Sequence, residues 1–394
     1  MTEVVFAEAI RTPLGRRNGG LAGVHPVDLL GSCLTALIER SGVDPGLIDD
    51  HTAGCVGQVG EQAWNIGRNA WLAAGLPQHV PSTTVDRQCG SSQQAIHFAA
   101  QGIACGAYQA VIASGVENMS RIPIGRSGDA GPGHPFSDAL LQRYDLIGQG
   151  LSAELIAARW DITREDCDSF AARSHTLAGA ARDAGRFDQE IAPVETAAGL
   201  VKQDEGIREP NMEKLASLRP AFWSEESASR FPEANWVVTA AGASQITDGA
   251  AAVLLTSREF AEKHGLRIRA RYVTGTAVGD DPKLMLTAPI PATQKVLDLA
   301  GLDLTDIDVV EINEAFSPIV LAWKNELKVP DEWFEASVNP NGGAIALGHP
   351  VGCSGARLMT TLLHELERRG GRYGLQTMCQ AGGLANATIV ESVA

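Results

Sequence analysis

Two kinds of hydrophobic pattern alternate through the first third of the chain. VVFAEAI, TAGCVG, STTVD and AVIASGVE are short runs of β-branched and small apolar residues bounded by polar or turn residues, and they predict strands. Between them, PVDLLGSCLTALIERSG repeats apolar residues at helical spacing and stops at Gly42; NIGRNAWLAAG and SSQQAIHFAAQGIACG carry the same helical signature. This alternation predicts a largely buried sheet covered by helices. The last third repeats it. RARYVTGTAVG, DVVEINE and YGLQTMC read as strands, and PATQKVLDLAG, AFSPIVLAWKNEL and SGARLMTTLLHELERRG as helices, with a glycine-rich loop before the last helix. In one half a strand runs into QCGSS and a helix, and at the matching place in the other ASVNPNGGAIALGHPVGCSG does the same. A duplication would therefore aim two helix N-termini, with their partial positive charge and free N–H groups, at one place.

The intervening stretch changes character. RIPIGRSGDAGPGHP is loop-like, and LSAELIAARW and REDCDSFAARSHTLAGAARDAG are helical. TAAGASQITDGAAAVLLTS then reads as a loop, a helix start and an apolar strand returning to the first sheet. The expected division is 1–119 with 244–266 as one half, 120–243 as an insert, and 267–394 as the other half.

Composition narrows the function. The chain has 394 residues, 44% hydrophobic and 20% charged, the profile of a globular protein. Its net charge of −15 disfavours nucleic acid or an anionic membrane as a partner. The N-terminal MTEVVFAEAIRTP lacks the basic and apolar parts of a signal peptide, and no run approaches the ~18 apolar residues of a membrane span, so a cytoplasmic protein is expected. The seven cysteines fall without metal-ligand spacing, which predicts free thiols and no metal. Cys33, Cys55, Cys105 and Cys167 read as small buried apolar residues, and His25, His51 and His134 as surface or structural histidines.

Three cysteine and histidine contexts differ from these. Cys89 lies between a β-rich run and a helix start, where the helix dipole and free N–H groups favour a thiolate; such junctions also hold structural thiols. His349 sits in a loop with glycines at 342, 343, 348 and 352, which permit close backbone approach to a ligand. Cys379 ends a strand beside the turn glycines Gly382 and Gly383, placed for proton transfer or as an ordinary buried thiol. Asn313 and Glu314 end an apolar strand, as polar groups of a site or as caps.

QCGSSQQA, TAAGASQITDGAAA, EINEAF, NPNGGAIALGHPVGCSGAR and MCQAGG occur in the order and spacing found in the thiolase family, and the chain resembles that family over essentially its whole length. The resemblance implies an α/β thiolase fold of two similar βαβαβαββ halves in an α/β/α/β/α arrangement with an inserted loop domain. It implies that Cys89 is acylated, that His349 activates it, and that Cys379 shuttles a proton at the substrate α-carbon. One oxyanion site would use His349 with a water held by Asn313, the other the backbone N–H groups of Cys89 and Ala381, where relatives usually have glycine. Coenzyme A is implied as a co-substrate, with no permanently bound cofactor; Ser244 would meet its pantetheine arm and Arg208 its nucleotide. Cys353 is expected to be structural, and a homodimer or homotetramer is expected.

Where many short-chain thiolases carry a bulky pair, this chain has Gly148 and Gln149, followed by Gly150, Ser152, Ala153 and Glu154. TTVDRQCGSSQQA likewise resembles thiolases that shorten steroid side chains. Both features imply a 3-ketoacyl-CoA substrate with a medium, long or bulky acyl group, against the alternative of a biosynthetic acetoacetyl-CoA thiolase. A ketosynthase on the same fold would not need Cys379, and a non-catalytic lipid carrier would not need Cys89 or His349.

Overall fold

A computed structural model describes residues 2–393. Its main sheet has ten strands. Nine of them are β1 (Val4–Arg11), β2 (Asp50–Gly54), β3 (Ser82–Val85), β4 (Ala110–Asn118), β5 (Thr247–Ser257), β6 (Ala270–Gly279), β7 (Val309–Ile312), β8 (Tyr373–Gln380) and β9 (Leu384–Ser392). Their order is β7-β8-β9-β6-β1-β5-β4-β2-β3, and the short strand Gly15–Arg16 pairs with β5. The halves join through β1 and β6, which pair antiparallel at Val5 with Arg271 and Phe6 with Ala270.

Three apolar clusters show how the sheet is layered. Helices α1 (Pro26–Ser41) and α2 (Ile66–Ala73) pack Leu30, Leu34 and Trp71 on one face of the first half. Helices α6 (Pro289–Ala300) and α7 (Ser317–Glu326) pack Val296, Val320 and Trp323 on the far face of the second half. Between the two halves of the sheet lie α3 (Ser91–Ala104) and α8 (Ser354–Arg369), whose Ile96, Ala100, Met359 and Leu362 share a cluster with Phe6, Val253 and Val309. The result is the α/β/α/β/α order. Burying β5 on every residue explains why its sequence reads as a continuous apolar run instead of alternating.

The two central helices approach closely because Gly355 faces Gln93, and a Cβ there would collide with the Gln93 backbone. Ser92 Oγ accepts from Ala356 N at 2.9 Å, tying the two helix starts together. The insert contributes α4 (Gln149–Arg159) and α5 (Arg164–Asp183), the second opened by a capping box between Thr163 and Asp166.

Several local readings change. ITDGAAAVLLTS contains no helix start, because Thr247 enters β5 directly from the loop. In the second half the third strand is reduced to one bridge between Val310 and Val338. Asn339, in the left-handed region at φ 44°, turns the chain at once, and its amide bonds both Ile312 N and Ile312 O at 2.9 Å, ending the pairing. A short helix Asp331–Ser337 precedes that turn. Cys105 is exposed at the end of α3, whereas Cys33, Cys55 and Cys167 are buried as expected. His51 is wholly buried between Ser114 Oγ at 2.7 Å and Ser82 Oγ at 2.9 Å, a structural histidine.

Candidate active site

Cys89 stands on an elbow between β3 and α3. Gln88 has φ 47°, a left-handed conformation that a glutamine adopts only when its surroundings enforce it. Ser91 enforces it: its hydroxyl donates to Gln88 O at 2.5 Å and accepts from Arg87 N at 2.9 Å. The turn leaves Cys89 beside the first turn of α3. Burial pushes its thiol up to about 12, while the backbone N–H groups of Cys89 and Ala381 pull the other way by hydrogen-bonding to the sulfur. Glu117 and Asp86 add a smaller upward push. The free thiol is therefore neutral, and the two N–H groups are already directed at the place where charge would develop.

His349 is 5% exposed, in the loop that leads into α8. Gly348 before it has φ 115° and lies against Thr247, so both the angle and the space require glycine. His349 Nδ1 lies 2.6 Å from Ser354 Oγ, whose own proton goes to Pro350 O at 2.9 Å. Ser354 must then accept, which places the imidazole proton on Nδ1 and leaves Nε2 as a bare base. Burial and the charge of Arg357 lower the His349 pKa to about 3.

Asn313 connects this histidine to the third candidate. Its Nδ2 donates toward His349 Nε2 at 3.4 Å, and its side chain also hydrogen-bonds the Cys379 thiol. Burial holds Cys379 strongly protonated, with the nearby Cys89 thiol adding to the effect. Beneath Asn313, Glu314 is a brace. Its carboxylate accepts from Ser174 Oγ at 2.6 Å, Asn339 Nδ2 at 2.9 Å and Ile345 N at 3.1 Å, holding the loop before His349 to the end of β7.

Ala381 is half-buried, and its N–H reaches the Cys89 sulfur although the residue carries a methyl group. Cys353 is buried in the central apolar cluster and makes no polar contact with the site residues. Ser244 is half-buried, its N donating to Ala315 O at 2.9 Å. Arg208 is exposed, with Nη2 3.4 Å from Gln245 Oε1. Gln245 in turn accepts from His349 N through its backbone at 3.1 Å, so the Arg208 segment touches the histidine loop through one residue.

Glu117 was not anticipated from the sequence. This buried carboxylate accepts from Val56 N at 2.9 Å, Gly57 N at 3.0 Å, Gln62 Nε2 at 2.6 Å and Gly352 N at 3.0 Å, binding the His349 loop of one half to the β2 loop of the other. Burial raises its pKa. The signal was present in AVIASGVE, a charge closing an otherwise apolar strand.

Two cavities open here. One of about 290 Å³ is lined by Cys89, Gln88, Val56, Val351, Ile124 and Gln149 among others. The second, about 730 Å³ and mainly apolar, is lined by Phe136, Leu140, Leu141, Leu146, Ile147, Met285 and Ala381, and shares Gln88 and Gln149 with the first. A Cβ at Gly148 would meet nothing within 4 Å, so that position adds space. Gly150 does not, because the Phe222 ring fills the room beside it. Glu154 points away, accepting from Val237 N at 2.8 Å and Val238 N at 3.0 Å. A separate cleft of about 820 Å³, lined by Glu8, Arg40, Arg269 and Glu365 among others, contains none of these site residues.

The family model for the thiolase N-terminal domain matches residues 4–259, and that for the thiolase C-terminal domain matches residues 266–392. The chain belongs to the thiolase family. It is accordingly an acyltransferase, with coenzyme A as co-substrate. Among curated thiolases it is 51% identical to the steroid 3-ketoacyl-CoA thiolase FadA6 of Mycobacterium tuberculosis, over 99% of this chain and 94% of the relative. It is 42% identical to the beta-ketoadipyl-CoA thiolase of Pseudomonas aeruginosa, over 99% of each. Among solved thiolase structures, human mitochondrial 3-ketoacyl-CoA thiolase superposes with a TM-score of 0.88 at 35% identity, covering 100% of this chain and 99% of that one. The acetyl-CoA acetyltransferase of Bacillus anthracis gives a TM-score of 0.88 at 38% identity with the same coverage.

Proposed function

We propose that this thiolase cleaves a 3-ketoacyl-CoA with a bulky apolar acyl group, releasing acetyl-CoA or propionyl-CoA and transferring the shortened acyl group to coenzyme A. One observation carries the reading: Cys89 and Gln149 border a small cavity that shares Gln88 and Gln149 with an apolar chamber of about 730 Å³, which Ala381 also lines and which is well beyond what an acetyl group needs. The 51% identity to a steroid 3-ketoacyl-CoA thiolase supports the same choice.

The proposed chemistry uses both thiols in turn. His349 Nε2 takes the Cys89 proton as Sγ bonds to the 3-keto carbon. The bond between C2 and C3 then breaks, its electron pair passes to the acetyl-CoA enolate, and Cys379 delivers a proton to C2. Coenzyme A gives its thiol proton to the Cys379 thiolate and attacks the acyl group on Cys89. Cys89 leaves and recovers its proton from His349, so every proton is returned. The N–H groups of Cys89 and Ala381 stabilise one oxyanion, and His349 with an Asn313-held water the other.

Ser244 would contact the pantetheine arm and Arg208 the nucleotide, both on the side of the 120–243 insert. The family resemblance also supports a homodimer or homotetramer in the cytoplasm; among the described residues no helix is long and apolar enough to cross a membrane.

The test is to supply free coenzyme A with acetoacetyl-CoA, a long-chain and a steroid-like 3-ketoacyl-CoA, and follow loss of the ketoacyl absorbance. Faster turnover of the bulky substrates is expected. A preference for acetoacetyl-CoA would replace this reading with the biosynthetic one, and no turnover with reduced Cys89 would overturn both.

A further inference from the structure

Side chains alternate along a strand, so Val309, Glu311 and, just past the end of β7, Asn313 share one face. Val309 packs in the same cluster as Ala356, Met359 and Leu362, so this face is the one covered by α8. On α8, Ser354 and Arg357 are three residues apart and lie on one side of the helix. Two polar layers result. Asn313, His349 and Ser354 form the upper one, and Glu311 and Arg357 lie directly beneath it.

The lower layer is difficult to explain as scaffolding. Glu311 and Arg357 are both wholly buried, and their only mutual contact is Arg357 Nη1 to Glu311 Oε2 at 3.5 Å. Neither carboxylate oxygen and none of the three guanidinium nitrogens has a hydrogen-bond partner among the described residues. Asn313 Oδ1 above them and Gln376 Oε1 beside them are also unpartnered. A buried ion pair without supporting hydrogen bonds recovers less than its desolvation costs, so apolar side chains of equal volume would serve stability as well. Arg11, equally buried, shows what a structural arginine looks like here: it donates to Asp204 Oδ1 at 2.7 Å, Asp204 Oδ2 at 2.9 Å and Glu190 Oε1 at 2.6 Å.

We propose that Arg357 is a positioning residue for the reaction: its unpaired cation, beneath the layer of Asn313, His349 and Ser354, adds to burial in keeping His349 a neutral base before attack and drives its proton back after it. The inference rests on the role of His349 given above. The charged groups packed about the His349 loop are Glu117, which accepts from Gly352 N, Glu314, which accepts from Ile345 N, and Arg357 of α8. Arg357 is the buried cation among them. Its charge, after burial, is what lowers the His349 pKa, and burial in turn raises Glu311 to about 8 against the pull of Arg357, so that Glu311 is largely protonated at neutral pH and leaves the cation uncancelled.

The test reads His349 without requiring turnover: the rate of Cys89 alkylation by iodoacetamide is followed against pH, together with kcat/KM on the preferred 3-ketoacyl-CoA. Arg357→Met removes the cation, and the acid limb of both profiles should rise by about one pH unit or more. Glu311→Gln, which copies the protonated carboxyl, should leave that limb in its original place. The double variant should match Arg357→Met, and Arg357→Lys, which keeps the cation, should not move the limb. Melting temperatures identify folded variants; if Arg357→Met does not fold, the double variant, which leaves no ionisable pair behind, decides the matter. Unmoved limbs in Arg357→Met or the double variant, a raised limb in Arg357→Lys, or a moved limb in Glu311→Gln would each overturn the proposal. A protein inert to every 3-ketoacyl-CoA whose alkylation limb still moves keeps this inference and overturns the proposed reaction; an active protein with unmoved limbs does the reverse.

Discussion

The starts of α3 and α8 are built on one plan and tuned by different means. Each follows a loop, each offers one candidate reactive side chain, and the two helices touch at Gly355. At α3 the environment of Cys89 is made by backbone, from the left-handed Gln88 to the N–H groups of Cys89 and Ala381. At α8 the environment of His349 is made by side chains: Asn313, Ser354 and Arg357. Backbone dipoles persist through most substitutions, whereas a side chain is removed by one. The surroundings of Cys89 should therefore tolerate changes that those of His349 do not.

The largest effects should come from the reactive groups themselves, where the two regions are equal. Cys89→Ala should abolish acyl-enzyme formation, measured by mass spectrometry, and reduce turnover by roughly 10⁴-fold or more. A variant that still acylated would remove Cys89 from the comparison. The asymmetry appears at the next level. Asn313→Ala takes a donor from both His349 and Cys379 and should lower kcat about 100-fold. A loss of only a few-fold would mean that the side-chain half is as tolerant as the backbone half.

Ionisation sharpens the same contrast. With the Cys89 thiol at about 12 and the His349 imidazole at about 3, burial keeps both uncharged throughout the interval between those values. The sign follows: raising a thiol and lowering an imidazole both oppose a thiolate–imidazolium pair. The free enzyme at neutral pH should thus show no ultraviolet thiolate absorbance that Cys89→Ala removes. Detecting such absorbance would show that the N–H groups outweigh burial.

The contact between the regions can be loosened directly. Gly355→Ala forces a methyl group against the Gln93 backbone and should cost about 1–3 kcal/mol, read as a lower Tm with reduced activity. The smallest change is expected at Ala381. Ala381→Gly keeps the N–H, so kcat should stay within about 3-fold of the original. A large loss would place the methyl group, and not the backbone donor, at the centre of the site.

Much of this was readable in the chain. The strand-helix alternation, the helix stops at Gly42 and Gly370, and the positions of Cys89, His349, Asn313 and Cys379 at element ends all follow from local pattern. Local pattern also misled in identifiable ways. TAAGASQITDGAAAVLLTS reads as passing through a helix start, but Thr247 enters β5 directly from the loop. Cys105 reads as buried, but it falls on the open end of α3. Glu311 and Arg357 gave little sign of their surroundings, because a charged residue in a strand or helix is ordinarily solvated, and only packing takes the water away.

Hydrophobic periodicity and turn chemistry act over a few residues, and they are enough to specify which segments become strands, which become helices, and which reactive groups stand at their ends. The distances between those groups depend on something else. Pairing of Val5 with Arg271 closes two halves into one sheet, and that closure brings a cysteine and a histidine 260 residues apart to one cavity. It also strips solvent from both, so that two groups with ordinary chemistry in water become a neutral thiol and a neutral base. The sequence by itself determined the parts and their order. The tertiary structure decided their protonation, their partners and the room left for substrate, because desolvation and contact exist only once the layers have packed.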